Sequence, residues 1–365
     1  MHQQLSKKLL ATNTRSCCSN LTKKASRPPL IICRSSNFSS TSESHAPKFP
    51  IPSYVGQSQP IPKSILPSSS LPSNRQKDDI AFQQYQTDLA NALRPSFESQ
   101  TPLLLNNLLS KCDAIYFWKS IDYWRLAVGE DTPVEVEVGK TYNKGSRANM
   151  MFGEYLNYLS LCMEQEAVEF EEYKQNPEKH SQQPQTDQEV AYLAQNELFP
   201  QVINDITIPS FTDNEKYNVG EGKLYHTMLW MGPRNTISPL HFDPLDNILM
   251  QVVGWKRVLL FPPDIQPDYD DIEGDEFEKI IKRSHAKNDS GPTWHYAGST
   301  NGSQYNTSPV DVENPDLGKF PNFKELAPTP YECILGPGDA LYIPKKWWHH
   351  VRSLETSVSA NVWWR

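Results

Sequence analysis

The feature that most limits what this chain can fold into is the pair His241 and Asp243, flanking Phe242 on one predicted strand and answered by Trp348-His349 near the C-terminus. In a strand, residues i and i+2 share a face. His241 and Asp243 therefore point together, and Phe242 points away. A second strand carrying His349 can complete a set of two histidines and one carboxylate. That set occupies one face of an octahedral ferrous ion and leaves positions open for a co-substrate and oxygen.

His-x-Asp alone is weak evidence in a chain with nine histidines. Its surroundings strengthen it. The pair follows Ser238-Pro239-Leu240 and precedes a long apolar run, and the distal histidine follows Gly338-Asp339-Ala340-Leu341-Tyr342-Ile343-Pro344. Polar ligands among such apolar strands are costly to bury without a partner. Two histidines, His349 and His350, compete for the distal position, and strand neighbours face opposite sides, so one of them binds. Lys256, thirteen residues after Asp243, reads as a buried cation able to hold the far carboxylate of 2-oxoglutarate, or else as an edge lysine reaching solvent. Asn247 shares the parity of Asp243 and can hydrogen-bond the same co-substrate.

Strands are expected at 225–231, 248–261, 333–335, 340–343, 349–353 and 357–364, with Pro262-Pro263 ending one and Gly336-Pro337-Gly338-Asp339 turning between two others. Short strands at this spacing predict a mainly β architecture, a double-sheet jelly roll. Val134 to Val138 alternates as a further strand, and Met150 to Val168 carries a helical stripe. The expected organisation is a leader over 1–42, a linker over 43–94 with too few large apolar residues for a core, an α-rich part over 95–190, and the β domain over 191–365 with an acidic surface insertion at 264–305.

Residues 1–42 hold seven basic residues and abundant Ser and Thr, and the first acidic residue is Glu43. Such a leader resembles a mitochondrial transit peptide; a basic tail or a nuclear address is the alternative, leaving the protein cytosolic or nuclear. The remainder carries 28 basic residues against 43 acidic ones. That balance disfavours direct nucleic-acid binding and favours basic partners. The six cysteines form no C-x-x-C pair, which argues against a disulfide framework or a zinc site. No stretch approaches the ~20 apolar residues of a membrane span.

Together Tyr192-Leu193-Ala194-Gln195, Trp230-Met231-Gly232-Pro233, Thr236 through Pro244, Asn247, Gln251, Gly254, Lys256, Asn306 through Leu317, and Pro337 through Trp364 resemble the JmjC-domain 2-oxoglutarate oxygenases, a cupin-like family with a double-stranded β-helix and an N-terminal helical region. Within it the likeness is to the group of lysine demethylases and arginyl hydroxylases, over residues 95–365. The resemblance implies Fe(II) held by His241, Asp243 and His349, and so favours His349 over His350. It implies 2-oxoglutarate bound by Tyr192, Ser238, Asn247 and Lys256, with Gln195 and Trp230 lining the pocket. It also implies Glu137 as a carboxylate for a cationic substrate side chain, though an exposed strand glutamate reads the same way. Arg147 stands where the family has a tryptophan, and the insertion is longer than the family's. Both departures bear on the substrate rather than the chemistry. The expected function is hydroxylation of arginine residues in basic proteins or peptides by molecular oxygen. N-methyl-lysine demethylation and RNA hydroxylation are the alternatives. A non-catalytic binding module would show a broken triad or a missing lysine, and neither is seen.

Overall fold

A computed structural model of the chain describes residues 46–52, 56–64, 80–139, 146–177, 190–263, 306–320, 323 and 327–365. The leader over 1–42 and the insertion over 264–305 lie outside the described residues. The strands are β1 (Gln59–Pro60), β2 (Lys63–Ser64), β3 (Leu103–Leu105), β4 (Pro133–Gly139), β5 (Ser146–Met151), β6 (Val190–Glu197), β7 (Leu224–Gly232), β8 (Ile237–His241), β9 (Asp246–Val253), β10 (Lys256–Phe261), β11 (Tyr331–Leu335), β12 (Ala340–Ile343), β13 (Trp348–Ser353) and β14 (Ser357–Trp364). The α-helices are α1 (Ile80–Glu98), α2 (Ala114–Phe117), α3 (Ile121–Ala127) and α4 (Phe152–Gln175). Among the described residues no helix is long and apolar enough to cross a membrane.

Two sheets face each other. One runs β1-β11-β10-β13-β8, the other β2-β3-β12-β9-β14-β7-β6-β4-β5. Alternation along the strands sorts side chains into layers. Val258, Leu260, Leu335 and Val351 of the smaller sheet meet Leu104, Leu249, Leu341 and Ile343 of the larger one inside the sandwich. The other face of the larger sheet, with Ile248, Met250, Val358, Ala360, Val362 and Trp364, packs in one core with Leu89 and Leu93 of α1 and Phe152, Tyr155 and Leu159 of α4. The far face of the smaller sheet buries Leu240, Leu259, Phe261 and Trp348 beneath Val310, Val312 and Phe323. This is the expected jelly roll, with helices covering the larger sheet.

The structure differs from the sequence reading in three places. The apolar run 248–261 is two strands, not one. Gly254, at φ 69°, turns the chain between β9 and β10, which belong to opposite sheets. A Cβ there would lie 2.2 Å from the Thr356 carbonyl oxygen, so the turn needs glycine. The stretch read as linker contributes to the body at several points. Phe49 and Ile61 are buried, β1 and β2 pair in parallel with β11 and β3, and α1 begins at Ile80. Its Gln- and Ser-rich composition hides a stripe at Phe82, Tyr85, Gln86, Leu89, Ala90 and Leu93 that α1 buries. Finally, β8 ends at His241, so Phe242 and Asp243 stand in the turn that follows rather than on the strand.

Candidate metal and co-substrate site

β8 and β13 run antiparallel with His241 opposite His349. Their ring centroids lie 4.1 Å apart. Between this pair and the next, Ser238 opposite Val351, the register slips. Three residues of β8 thus span two of β13, and the bulge lets Ser238 and His241, which a regular strand would face oppositely, stand opposite inward residues. Phe242 turns away, its ring edge-on to Trp348 at 4.9 Å. Asp243 swings back, its Oδ2 3.7 Å from His349 Nε2, and the ligand atoms of His241, Asp243 and His349 all lie within 4.8 Å of one another.

Backbone carbonyls orient both imidazoles. His241 Nδ1 is 2.7 Å from the Pro239 oxygen, and His349 Nδ1 is 3.0 Å from the Trp347 oxygen. Each Nδ1 therefore carries the proton and donates, leaving the Nε2 lone pair for a metal. Burial first, and then the neighbouring His241, push the His349 imidazolium pKa down, which keeps the ring neutral as a ligand must be. Trp363 Nε1 donates to Asp243 Oδ2 at 3.0 Å. This donor set, tautomer and outer contacts fit Fe(II), which His241, Asp243 and His349 would hold.

Lys256 opens β10 and pairs with Ser353, four residues along β13 from His349, a separation of roughly 13 Å at strand rise. It is only 2 % exposed, and its Nζ donates to Ser359 Oγ at 2.6 Å. Among the described residues it makes no salt bridge, and burial pushes its pKa down to about 7. A buried cation with one hydroxyl partner, at the far end of the sandwich interior from the metal ligands, fits the distal carboxylate of a short dicarboxylate such as 2-oxoglutarate. Asn247 is buried on β9, its Oδ1 accepting from Asn361 Nδ2 at 2.8 Å. Tyr192 and Trp230 pack at 5.8 Å beside Trp363. Gly232 makes this possible, since a Cβ there would sit 2.6 Å from the Tyr192 ring.

Of the residues expected from the sequence, the metal set converges fully. Tyr192, Trp230, Ser238, Asn247 and Lys256 are buried around the sandwich interior, whereas Gln195 is exposed where β6 bulges. Glu137 lies opposite Tyr192 in the β4–β6 ladder and is therefore on its face of the sheet. Its side chain is 11 % exposed, against 49 % for Glu135 two residues earlier. Arg147, in the cross-strand position on β5, places Nη2 3.4 Å from Glu137 Oε1. The sequence reading missed Ser359, Asn361 and Trp363. Their signal was present in Ser357-Val358-Ser359-Ala360-Asn361-Val362-Trp363, a period-two alternation with one polar face.

A two-sheet jelly roll with two histidines and a carboxylate at one end of its interior, and a buried lysine at the other, defines the cupin-type metal oxygenase class. Residues 90–365 match the family described as cupin-like domain. The chain is 33 % identical over 303 residues to the Arabidopsis thaliana lysine-specific demethylase JMJ30, covering 82 % of this chain and 57 % of that protein. It is 33 % identical over 252 residues to the Danio rerio lysine-specific demethylase 8, covering 67 % and 48 % respectively. It is 30 % identical over 170 residues to the Danio rerio tRNA wybutosine-synthesizing protein 5, covering 46 % and 39 %. The chain belongs to the cupin-like JmjC family, whose cofactors are Fe(II) and 2-oxoglutarate. It spans about half the length of the curated relatives it matches.

Proposed function

We propose that the protein is an Fe(II)- and 2-oxoglutarate-dependent protein hydroxylase acting on arginine residues of basic proteins. When bound, iron and 2-oxoglutarate supply the oxidant that inserts one atom of dioxygen into a C–H bond, the other atom leaving in succinate as carbon dioxide is released. The chain's own residues do the rest. His241, Asp243 and His349 hold the metal, and Trp363 fixes the Asp243 carboxylate. Lys256, as an ammonium, takes the distal carboxylate, with Tyr192, Ser238 and Asn247 offering donors along its length. Tyr192, Trp230 and Trp363 exclude water from the centre.

One observation carries the choice of arginine. Glu137, largely sheltered on the Tyr192 face, already has a guanidinium against it, that of Arg147. A substrate arginine would displace Arg147, which is 59 % exposed and retains Glu135 at 3.0 Å. The relatives named demethylases favour the second reading, removal of N-methyl groups from lysine by the same oxidant. The wybutosine relative points to RNA, against which stands the acidic balance of the chain. Incubation of the protein with Fe(II), 2-oxoglutarate and peptides bearing arginine or methyl-lysine separates these, with His241→Ala as control. A gain of one oxygen on arginine supports the proposal, and loss of a methyl group transfers it to demethylation. A mitochondrial address for residues 1–42 completes the proposal, and a diffuse signal from a reporter carrying residues 1–50 would refute it.

A further inference from the structure

We propose that residues 306–313 form a latch that sets the geometry of the metal ligands, with Asn306 and Glu313 as its two positioning residues. The inference rests on His241, Asp243 and His349 being the metal site. β8, which ends in His241, is the edge of the smaller sheet. An edge strand leaves backbone donors and acceptors open, and here the latch takes them up. Phe242 N donates to the Asn306 oxygen at 3.0 Å, Ser308 N donates to the Leu240 oxygen at 2.8 Å, and Thr307 bridges His241. The Asn306 side chain then closes the remaining side, its Nδ2 donating to the Phe242 oxygen at 3.0 Å. Phe242 is the residue between the two ligands, so Asn306 grips both its N–H and its C=O.

The same segment next crosses the back of the sheet. Val310 and Val312 bury against Leu240 and Trp348, which flank the ligands His241 and His349 in sequence. Asp311 Oδ1 accepts from Glu313 N at 3.0 Å and turns the chain inward. The Glu313 carboxylate lands behind the distal ligand strand. Arg352 donates to it through Nε at 2.7 Å, with Nη2 at 2.5 Å. Arg257 Nη1 lies at 3.5 Å, and His350 Nε2 at 3.8 Å. His350 and Arg352 sit on β13, and Arg257 on β10. The latch therefore ties β8 through its backbone and β13 through Glu313, the two strands whose relative position decides whether His241, Asp243 and His349 converge. His350, the rival histidine, faces this outer carboxylate on the far side of the sheet rather than the metal ligands. Contacts of this kind, one shell outside the ligands, govern metal affinity without touching the ion.

The test uses the full chain, Mn(II) as the probe and the free-ion EPR signal as the readout, so that no turnover is needed. Asn306→Ala and Asn306→Asp, the latter unable to donate to the Phe242 oxygen, are expected to weaken Mn(II) binding by about 10- to 100-fold. Both should leave the circular dichroism spectrum and the melting midpoint of the metal-free protein near wild type. Glu313→Gln is expected to act in the same direction, and if it fails to fold the Asn306 pair still decides. Wild-type Mn(II) affinity in folded Asn306→Ala and Asn306→Asp would overturn the latch. His241→Ala keeps the two failures apart: if it too binds Mn(II) normally, the metal site itself is misassigned.

Discussion

Lys256 carries the sharpest consequence at the scale of single residues. Burial lowers its pKa from 10.5 to about 7, so between those values the unfolded chain holds a proton that the folded, ligand-free chain lacks. Stability of the ligand-free protein therefore rises with pH across that window. A bound dicarboxylate needs the ammonium, so binding takes up a proton above pH 7. Affinity for 2-oxoglutarate should fall as pH climbs above 7, approaching tenfold per unit, as titration calorimetry can follow. Lys256→Met should flatten that dependence and cost about 2 kcal/mol of binding, roughly 30-fold, while raising the melting point of the ligand-free protein by removing a buried charge. A steeper or unchanged affinity profile in Lys256→Met would exclude this role. Trp363 supports a second prediction. Trp363→Phe keeps the packing with Tyr192 and Trp230 but removes the donor to Asp243, and should loosen metal binding about tenfold with the fold intact. The lysine and the triad were legible in the sequence because charged or metal-binding residues stood out among apolar strands. Trp363 was not legible, because an aromatic in an aromatic-rich terminus reads equally as core, and Trp364 beside it is core, its Nε1 bonded to the Val219 oxygen.

At the scale of elements, alternation fixed which strands exist, and turns decided how many. β9 and β10 merged in the sequence reading because Ile248 to Phe261 is mostly apolar, and one glycine is a weak interruption. Its backbone is decisive nonetheless. Gly254→Ala imposes a positive φ on alanine and drives its Cβ into the Thr356 carbonyl oxygen. Left-handed strain alone costs roughly 1–2 kcal/mol, and the contact adds to it. The expected outcome is a protein several degrees less stable in thermal unfolding, with weakened 2-oxoglutarate binding because Lys256 stands two residues beyond the turn. Equal melting points would show that the turn relaxes without cost. The bulge in β8 was invisible in the sequence for a related reason. Strand parity puts Ser238 and His241 on opposite faces, and only the observed slip against β13 reconciles them.

At the scale of the whole molecule, the sandwich is closed by chain that composition had assigned to a linker. Phe49 is buried against the rings of Phe170 and Tyr173, with the Arg234 guanidinium 3.5 Å from its centroid. Beside it the Lys48 backbone N–H donates to Glu355 Oε1 at 2.6 Å, and its ammonium lies 3.2 Å from Glu166. Glu166 in turn accepts from both the backbone N–H and the hydroxyl of Thr356, in the turn joining β13 to β14. Ile61 enters the sandwich interior from the other side. Sequence composition averages over a window, and two anchors among many Pro, Ser and Gln residues leave that average polar. They are separable by truncation. A chain beginning at residue 46 retains every contact described and should melt with the full chain. A chain beginning at residue 65 loses Phe49 and Ile61, each worth about 2 kcal/mol of burial, and should melt roughly 5–10 °C lower. Because Lys48 holds the turn that precedes Ser357 and Ser359, the shorter chain should also bind 2-oxoglutarate more weakly. If both truncations melt and bind alike, the segment merely rests on the domain and the cofactor pocket is complete without it.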